Sequence, residues 1–158
     1  MSNVRRKDRE IDEKVAYDLL VNTEYAILGT INVEDGTPYC IPISPVVEED
    51  YIYFHCAPVG QKVDNIKNNP NVCVTCVGDT NLVPEQFTTE YESTVVKGVA
   101  GEVTEDEEKI FALRKICEKF APSNMDNFQK AVNASLKRTN IYKIKIQSIS
   151  GKGKKVKR

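Results

Sequence analysis

The residues with the greatest chemical capacity lie in one run, Tyr-Phe-His-Cys-Ala-Pro-Val-Gly-Gln-Lys-Val-Asp-Asn-Ile, at positions 53–66. A strand is expected to end at His55 to Ala57. A tight loop then carries Pro58 and Gly60, and a helix begins with Lys62 in its first turn. A helix start presents unpaired N–H groups and the positive end of the helix dipole, so it can hold an anion. The same dipole disfavours a lysine there, unless an anion sits beside it. Phosphate is the natural candidate, and an exposed lysine on an ordinary helix is the alternative. His55 is the only imidazole in the chain. It is suited either to proton transfer near neutral pH or to a structural hydrogen bond.

Upstream, residues 39–44 read Tyr-Cys-Ile-Pro-Ile-Ser, an apolar strand interrupted by Pro42. Proline cannot donate a ladder hydrogen bond, so it marks an edge, a bulge or a gap in a sheet. A planar ligand can lie across such a gap; a plain edge strand is the alternative. Cys73 and Cys76 form a C-x-x-C within a β-branched run. Residues three apart on a strand point to opposite faces, so these thiols are expected to be structural and no metal is expected. An odd total of five cysteines fits reduced thiols. There is no G-x-G-x-x-G or Walker motif and no serine in a nucleophile elbow.

The elements that must position these residues follow from hydrophobic periodicity. Helical spacing over residues 8–21 places Ile11, Val15 and Leu19 on one face. Strands are expected over 25–33, 39–47, 51–56, 72–77, 94–103 and 142–147, with a short helix over 60–69 and a long loop over 78–92. Gly98 and Gly101 mark a bulge or a close backbone approach. Thr104 and Glu107 match a capping box; the helix it opens has Ile110, Leu113, Cys117 and Phe120 as its apolar stripe. A further helix is expected over 126–136. Six strands with peripheral helices predict a mainly β protein, a closed or partly closed antiparallel barrel.

One domain over residues 1–150 is expected, followed by a basic, disordered tail over 151–158, Gly-Lys-Gly-Lys-Lys-Val-Lys-Arg. A nucleic-acid tail is the alternative reading of that end. The formal net charge of −1 gives no general reason to expect nucleic acid or an anionic membrane as partner. The polar start of the sequence does not read as a signal peptide, no apolar run is long enough to cross a bilayer, and a cytoplasmic protein is expected.

Taken together, these segments resemble the FMN-binding split-barrel superfamily of pyridoxamine 5′-phosphate oxidase, and within it the nitroimidazole-resistance branch. The resemblance is carried by Arg-Arg-Lys-Asp-Arg-Glu-Ile at 5–11, by Gly29, Thr30, Pro38, Tyr39, Pro42, Ile43 and Ser44, and by Tyr53, Phe54, His55, Ala57, Gly60 and Lys62. It continues through residues 89–98 and Gly101. It implies a six-stranded split barrel that forms a homodimer with two FMN sites at the interface. Tyr39, Cys40, Ile41, Pro42, Ile43 and Ser44 would lie along the flavin and ribityl chain. His55, Cys56 and Ala57 would flank it. Lys62, with the Gly60 and Gln61 backbone, would bind the phosphate, and Tyr91 and Ser93 would approach from the partner subunit. His55 would be the catalytic residue.

The end of the chain lacks the arginine- and histidine-bearing motif of pyridoxamine-phosphate oxidases, which argues against vitamin B6 oxidation. The expected activity is reduction of small nitro-aromatic or other electron-poor compounds with a nicotinamide donor. A non-catalytic flavin-binding module, or a haem-binding one using His55, is the alternative.

Overall fold

The structure, a computed structural model, describes residues 4–157; residues 1–3, at the head of the expected domain, and Arg158, at the end of the expected tail, lie outside it. In chain order the elements are β1 (Glu10–Ile11), α1 (Glu13–Asn22), β2 (Ala26–Ile31), β3 (Pro38–Ile43), β4 (Val46–Glu48) and β5 (Tyr51–Cys56). There follow α2 (Gln61–Asn68), β6 (Asn71–Val77), β7 (Asn81–Val83), β8 (Thr88–Glu102), α3 (Asp106–Phe120), α4 (Phe128–Ser135) and β9 (Asn140–Lys154).

Strict alternation builds the sheet. Ala26, Leu28 and Thr30 of β2 are buried while Ile27, Gly29 and Ile31 are half-exposed, and β6 buries Val72, Val74 and Cys76 in the same manner. The strands pair antiparallel in the order β3-β2-β6-β8-β9-β5-β4, with β1 added to β9 and β7 to β8. β3 and β4 end this path without pairing to each other, so the sheet curls around a core but stays open. Leu20, Leu28, Ile52, Phe54, Val74, Val96 and Ile144 fill that core. A second cluster of Val46, Tyr53, Val103, Ala112, Ile116 and Ile141 packs α3 against the other face of β5.

Nine strands replace the six expected among the described residues. The expected strand over 39–47 is two, β3 and β4, divided at Ser44-Pro45 where proline removes a ladder donor. The expected loop over 78–92 contains β7 and the start of β8, joined through a turn in which Phe87 takes a left-handed conformation (φ 49°). The start of the expected first helix is a 3₁₀ turn and β1; α1 proper begins after Asp12, whose side chain accepts from Lys14 N at 2.8 Å.

The expected disordered tail needs the same correction. Residues 151–154 are strand: Gly151 pairs with Ile11 and Thr94, and Lys152 with Glu10 and Ser93. A Cβ on Gly151 would lie 2.5 Å from Ile11 Cγ1 and 2.8 Å from Ala16 Cβ, so its glycine is a packing requirement rather than a sign of flexibility. Gly98 is likewise confined, a Cβ there falling 2.5 Å from Lys145 O, next to a register shift between β8 and β9; Gly101 has open space instead.

Thr104 and Glu107 do not form a capping box. Glu105 is the N-cap and makes no side-chain bond, while Asp106, Glu107 and Glu108 complement the dipole. The buried stripe of α3 is Ala112 and Ile116, with Phe120 exposed, because Ala112 is small enough to sit close against β5. α4 is shorter than expected at both ends.

Candidate functional site

Between the edge strand β3, paired only to β2, and the loop from β5 into α2 lies an open cavity of about 310 Å³, lined by Tyr39, Ile41, Pro42, Ala57, Val59, Gly60, Gln61 and Lys62. Two of its walls follow from sequence chemistry. Gly60 is the N-cap of α2 with φ 148°, a conformation that favours glycine, and it leaves the helix start without a side-chain cap. A Cβ at Gly60 would meet nothing within 4 Å, so the space beside the first turn is free. Lys62 is half-buried, and no carboxylate lies within 4.0 Å of its ammonium among the described residues. An uncapped helix start, a lysine without a counter-ion and open space beside both form an anion cradle. A phosphate fits this donor set.

Val63 and Ile66 anchor α2 in the core, and a polar network fixes it sideways. Asn65 is 1% exposed; its Nδ2 donates to Thr30 Oγ1 (3.0 Å) and Asn32 Oδ1 (3.2 Å), and its Oδ1 accepts from Val33 N (3.1 Å). Thr30 Oγ1 donates in turn to Tyr39 O (3.4 Å), and Gln61 Nε2 to Asn32 Oδ1 (2.7 Å). Both walls of the cavity are therefore tied to one buried amide.

The expected site residues divide between several places. Tyr39, Ile41, Pro42, Ala57, Gly60, Gln61 and Lys62 come together around the cavity. Cys40 and Ser44 are exposed, whereas Ile43 and Cys56 are buried in the core. Burial pushes the Cys56 thiol up, and the nearby Lys62 charge opposes this in part. His55 is exposed and shares a face of β5 with Tyr51 and Tyr53, the face packed by α3, so it does not line the cavity. Sequence reasoning did not include Val59, which lines the cavity, or Asn65, Asn32 and Thr30 behind it. A buried asparagine within a short amphipathic helix reads locally as a surface residue.

Tyr91 and Ser93 lie on β8, away from this cavity. Tyr91 lines a second, larger groove of about 1070 Å³ between the end of α1, the β6–β7 loop, β8 and the end of the chain. Ser93 Oγ donates to Lys152 O at 3.4 Å. In the groove, Glu90 accepts from Asn81 Nδ2 (2.9 Å) and Val156 N (2.8 Å), and Lys155 lies 3.8 Å from Glu92. Cys73 is exposed and Cys76 buried, on opposite faces of β6. No group of three or more His, Cys, Asp or Glu among the described residues could hold a metal ion, and no helix is long and apolar enough to cross a membrane.

An antiparallel sheet curled but left open, with an uncapped helix start and Lys62 beside its edge strand, defines a split-barrel protein. The model of the pyridoxamine 5′-phosphate oxidase family matches residues 12–153, and the chain belongs to that family. No curated protein matches the sequence. Among solved structures, the chain is similar to a candidate 5-nitroimidazole antibiotic resistance protein from Bacteroides thetaiotaomicron. The TM-score is 0.75 at 22% identity, covering 91% of this chain and 86% of that one. The flavocytochrome Anf3 from Azotobacter vinelandii gives a TM-score of 0.83 at 18% identity, with 97% and 72% covered. An FAD- and heme-binding protein from Mycobacterium smegmatis gives 0.77 at 18%, with 92% and 72% covered. At these identities the likeness is one of fold.

Proposed function

We propose that the chain is a homodimeric FMN-dependent oxidoreductase that reduces small nitro-aromatic, 5-nitroimidazole-like or other electron-poor compounds with a nicotinamide donor. The observation that carries this reading is the unpaired Lys62 at the uncapped start of α2, facing a cavity bounded by an edge strand. Lys62 and the first-turn N–H groups hold the phosphate. The free edge of β3 offers backbone groups to the ribityl chain and ring, and Pro42, which has no N–H, leaves space where a donor would otherwise point. Bound FMN would supply hydride acceptance from the donor and electron delivery to the acceptor. The family membership and the flavin-binding descriptions of several fold neighbours support the choice of flavin.

The homodimer is supported by an outward sheet face that is uncharged on β2 and β3 and carries Lys97 of β8 opposite Cys73. Gly29 stands between Cys40 and Cys73 in register, and Ile27 between Pro42 and Thr75. Val77 and Val95 extend the face, 58% and 39% exposed. A second copy covering it would bury apolar area and bring Tyr91 and Ser93 of one subunit toward the cavity of the other. His55 would meet only that part of a ring extending beyond Ala57, where an imidazole can exchange protons with an acceptor.

The test is a visible spectrum and mass spectrometry of the small molecule that copurifies, with analytical ultracentrifugation of the same sample. Flavin absorption, a mass matching FMN and a dimer are expected. A colourless protein that takes up no flavin on titration would sink the reading. His55→Ala should retain FMN and lose turnover with nitroimidazoles. The second reading, a haem- or flavin-binding module without turnover, is favoured by the exposed His55 and by the two heme-associated fold neighbours; a Soret band would support it.

A further inference from the structure

The polar network behind the cradle carries an inference that rests on the reading of the cavity as a flavin-phosphate site. Asn65 sits one helical turn beyond Gln61, beneath the first turn of α2. It uses both amide hydrogens and its carbonyl oxygen. Every partner belongs to β2 or to the turn leading into β3. From those partners the contacts run on to the two cavity walls, through Thr30 to the Tyr39 carbonyl and through Asn32 to Gln61.

Val63 and Ile66 hold α2 down by apolar contact, which is non-directional and fixes depth better than sideways position. Hydrogen bonds are directional and fix the register. A leucine of similar size would keep the packing but leave Val33 N, Thr30 Oγ1 and Asn32 Oδ1 each short of a partner, so the amide contributes stability and, unlike apolar contact, direction as well. We infer that Asn65 is a positioning residue for the phosphate end of the cofactor: it sets the distance and angle between the N–H groups of the first turn of α2 and the edge strand β3. Its partners Thr30 and Asn32 transmit the setting, Thr30 to the Tyr39 carbonyl and Asn32 to Gln61.

The test uses the full-length protein and compares FMN with riboflavin, which lacks the phosphate. Asn65→Leu should weaken FMN binding tenfold or more and riboflavin binding less than twofold. At saturating FMN, phosphorus NMR should place the bound phosphate closer to its free position than in the wild type. A brace that serves folding alone would lower Tm, or weaken both ligands alike, without changing their ratio, and either pattern overturns the assignment. If Asn65→Leu does not fold, Gln61→Met changes the exposed end of the same network, and an unchanged FMN-to-riboflavin ratio there overturns it equally. Wild-type protein that binds no flavin would instead overturn the proposed function itself.

Discussion

The cradle beside Lys62 and the groove beside Tyr91 are both concave, yet they use charge in opposite ways. The groove is more than three times larger, about 1070 against about 310 Å³, but its charges are largely engaged by their neighbours. Glu90 is held by Asn81 and the Val156 backbone, Lys155 stands near Glu92, and Lys154 meets Thr88 Oγ1. In the cradle, Lys62 has no carboxylate partner among the described residues and the helix start has no side-chain cap, while the residues behind it are tightly bonded. Unsatisfied donors on a rigid support are what an anion needs; volume alone is not. On the proposed function the cradle would take the phosphate, and Tyr91 of a second subunit would approach the ring.

Changes at the phosphate end should have the largest effect. Lys62→Glu places a like charge beside the phosphate and should weaken FMN by at least tenfold, about 1.4 kcal/mol. Riboflavin should be nearly unaffected in a parallel fluorescence titration. If FMN affinity does not move, the anion site lies elsewhere and the contrast between the regions dissolves.

A smaller effect is expected at the other end. Tyr91→Ala should weaken FMN and riboflavin alike, by about threefold, less than 1 kcal/mol. Dilution of the wild type below its dimer dissociation constant should release flavin in step with the appearance of monomer. Flavin retained by an isolated monomer would remove the partner's groove from the site.

The smallest effect serves as the control. Glu108 accepts from Lys143 Nζ (2.7 Å) and Tyr53 Oη (3.0 Å), tying α3 to β5 and β9; none of the three lines either concavity. The Lys143 hydrogen bond, more than any other cause, holds the Glu108 carboxyl below its usual range. A carboxyl whose pKa is lower folded than unfolded adds stability above its unfolded value and loses it as pH falls through the folded value. Tm should therefore fall as pH drops through the carboxylate range toward the lowered Glu108 value, and less steeply in Glu108→Gln. FMN affinity at pH 7 should be the same in both proteins; a change would mean that α3 is coupled to the cradle.

Much of the fold and part of the site could be read from local pattern. Alternation in β2, β6 and β8, the turns between them and the onset of α2 after Gly60 are written in neighbouring residues, because strand faces and helix starts are set by short-range sterics and hydrogen bonding. Those same signals brought out Gly60 and Lys62. They could not reveal β1, whose two residues are strand only because residues 151 and 152 lie beside them, nor the order in a basic tail whose Gly151 must pass beneath Ile11 and Ala16. The phase of α3 was missed because Ala112 is buried by the close approach of the helix to β5, a distance that no periodicity records.

The sequence by itself determined most of the element types, the mainly β antiparallel class and the chemistry available at the start of α2. Only the tertiary structure decided that β3 is an edge, that His55 lies outside the cavity on the α3 side of β5, and that Asn65 is a buried tie rather than a solvated side chain. The physical reason is one of range. Backbone preference and hydrophobic period act over a few residues, whereas edges, burial and hydrogen-bond partners some 30 positions apart exist only once the chain has closed on itself.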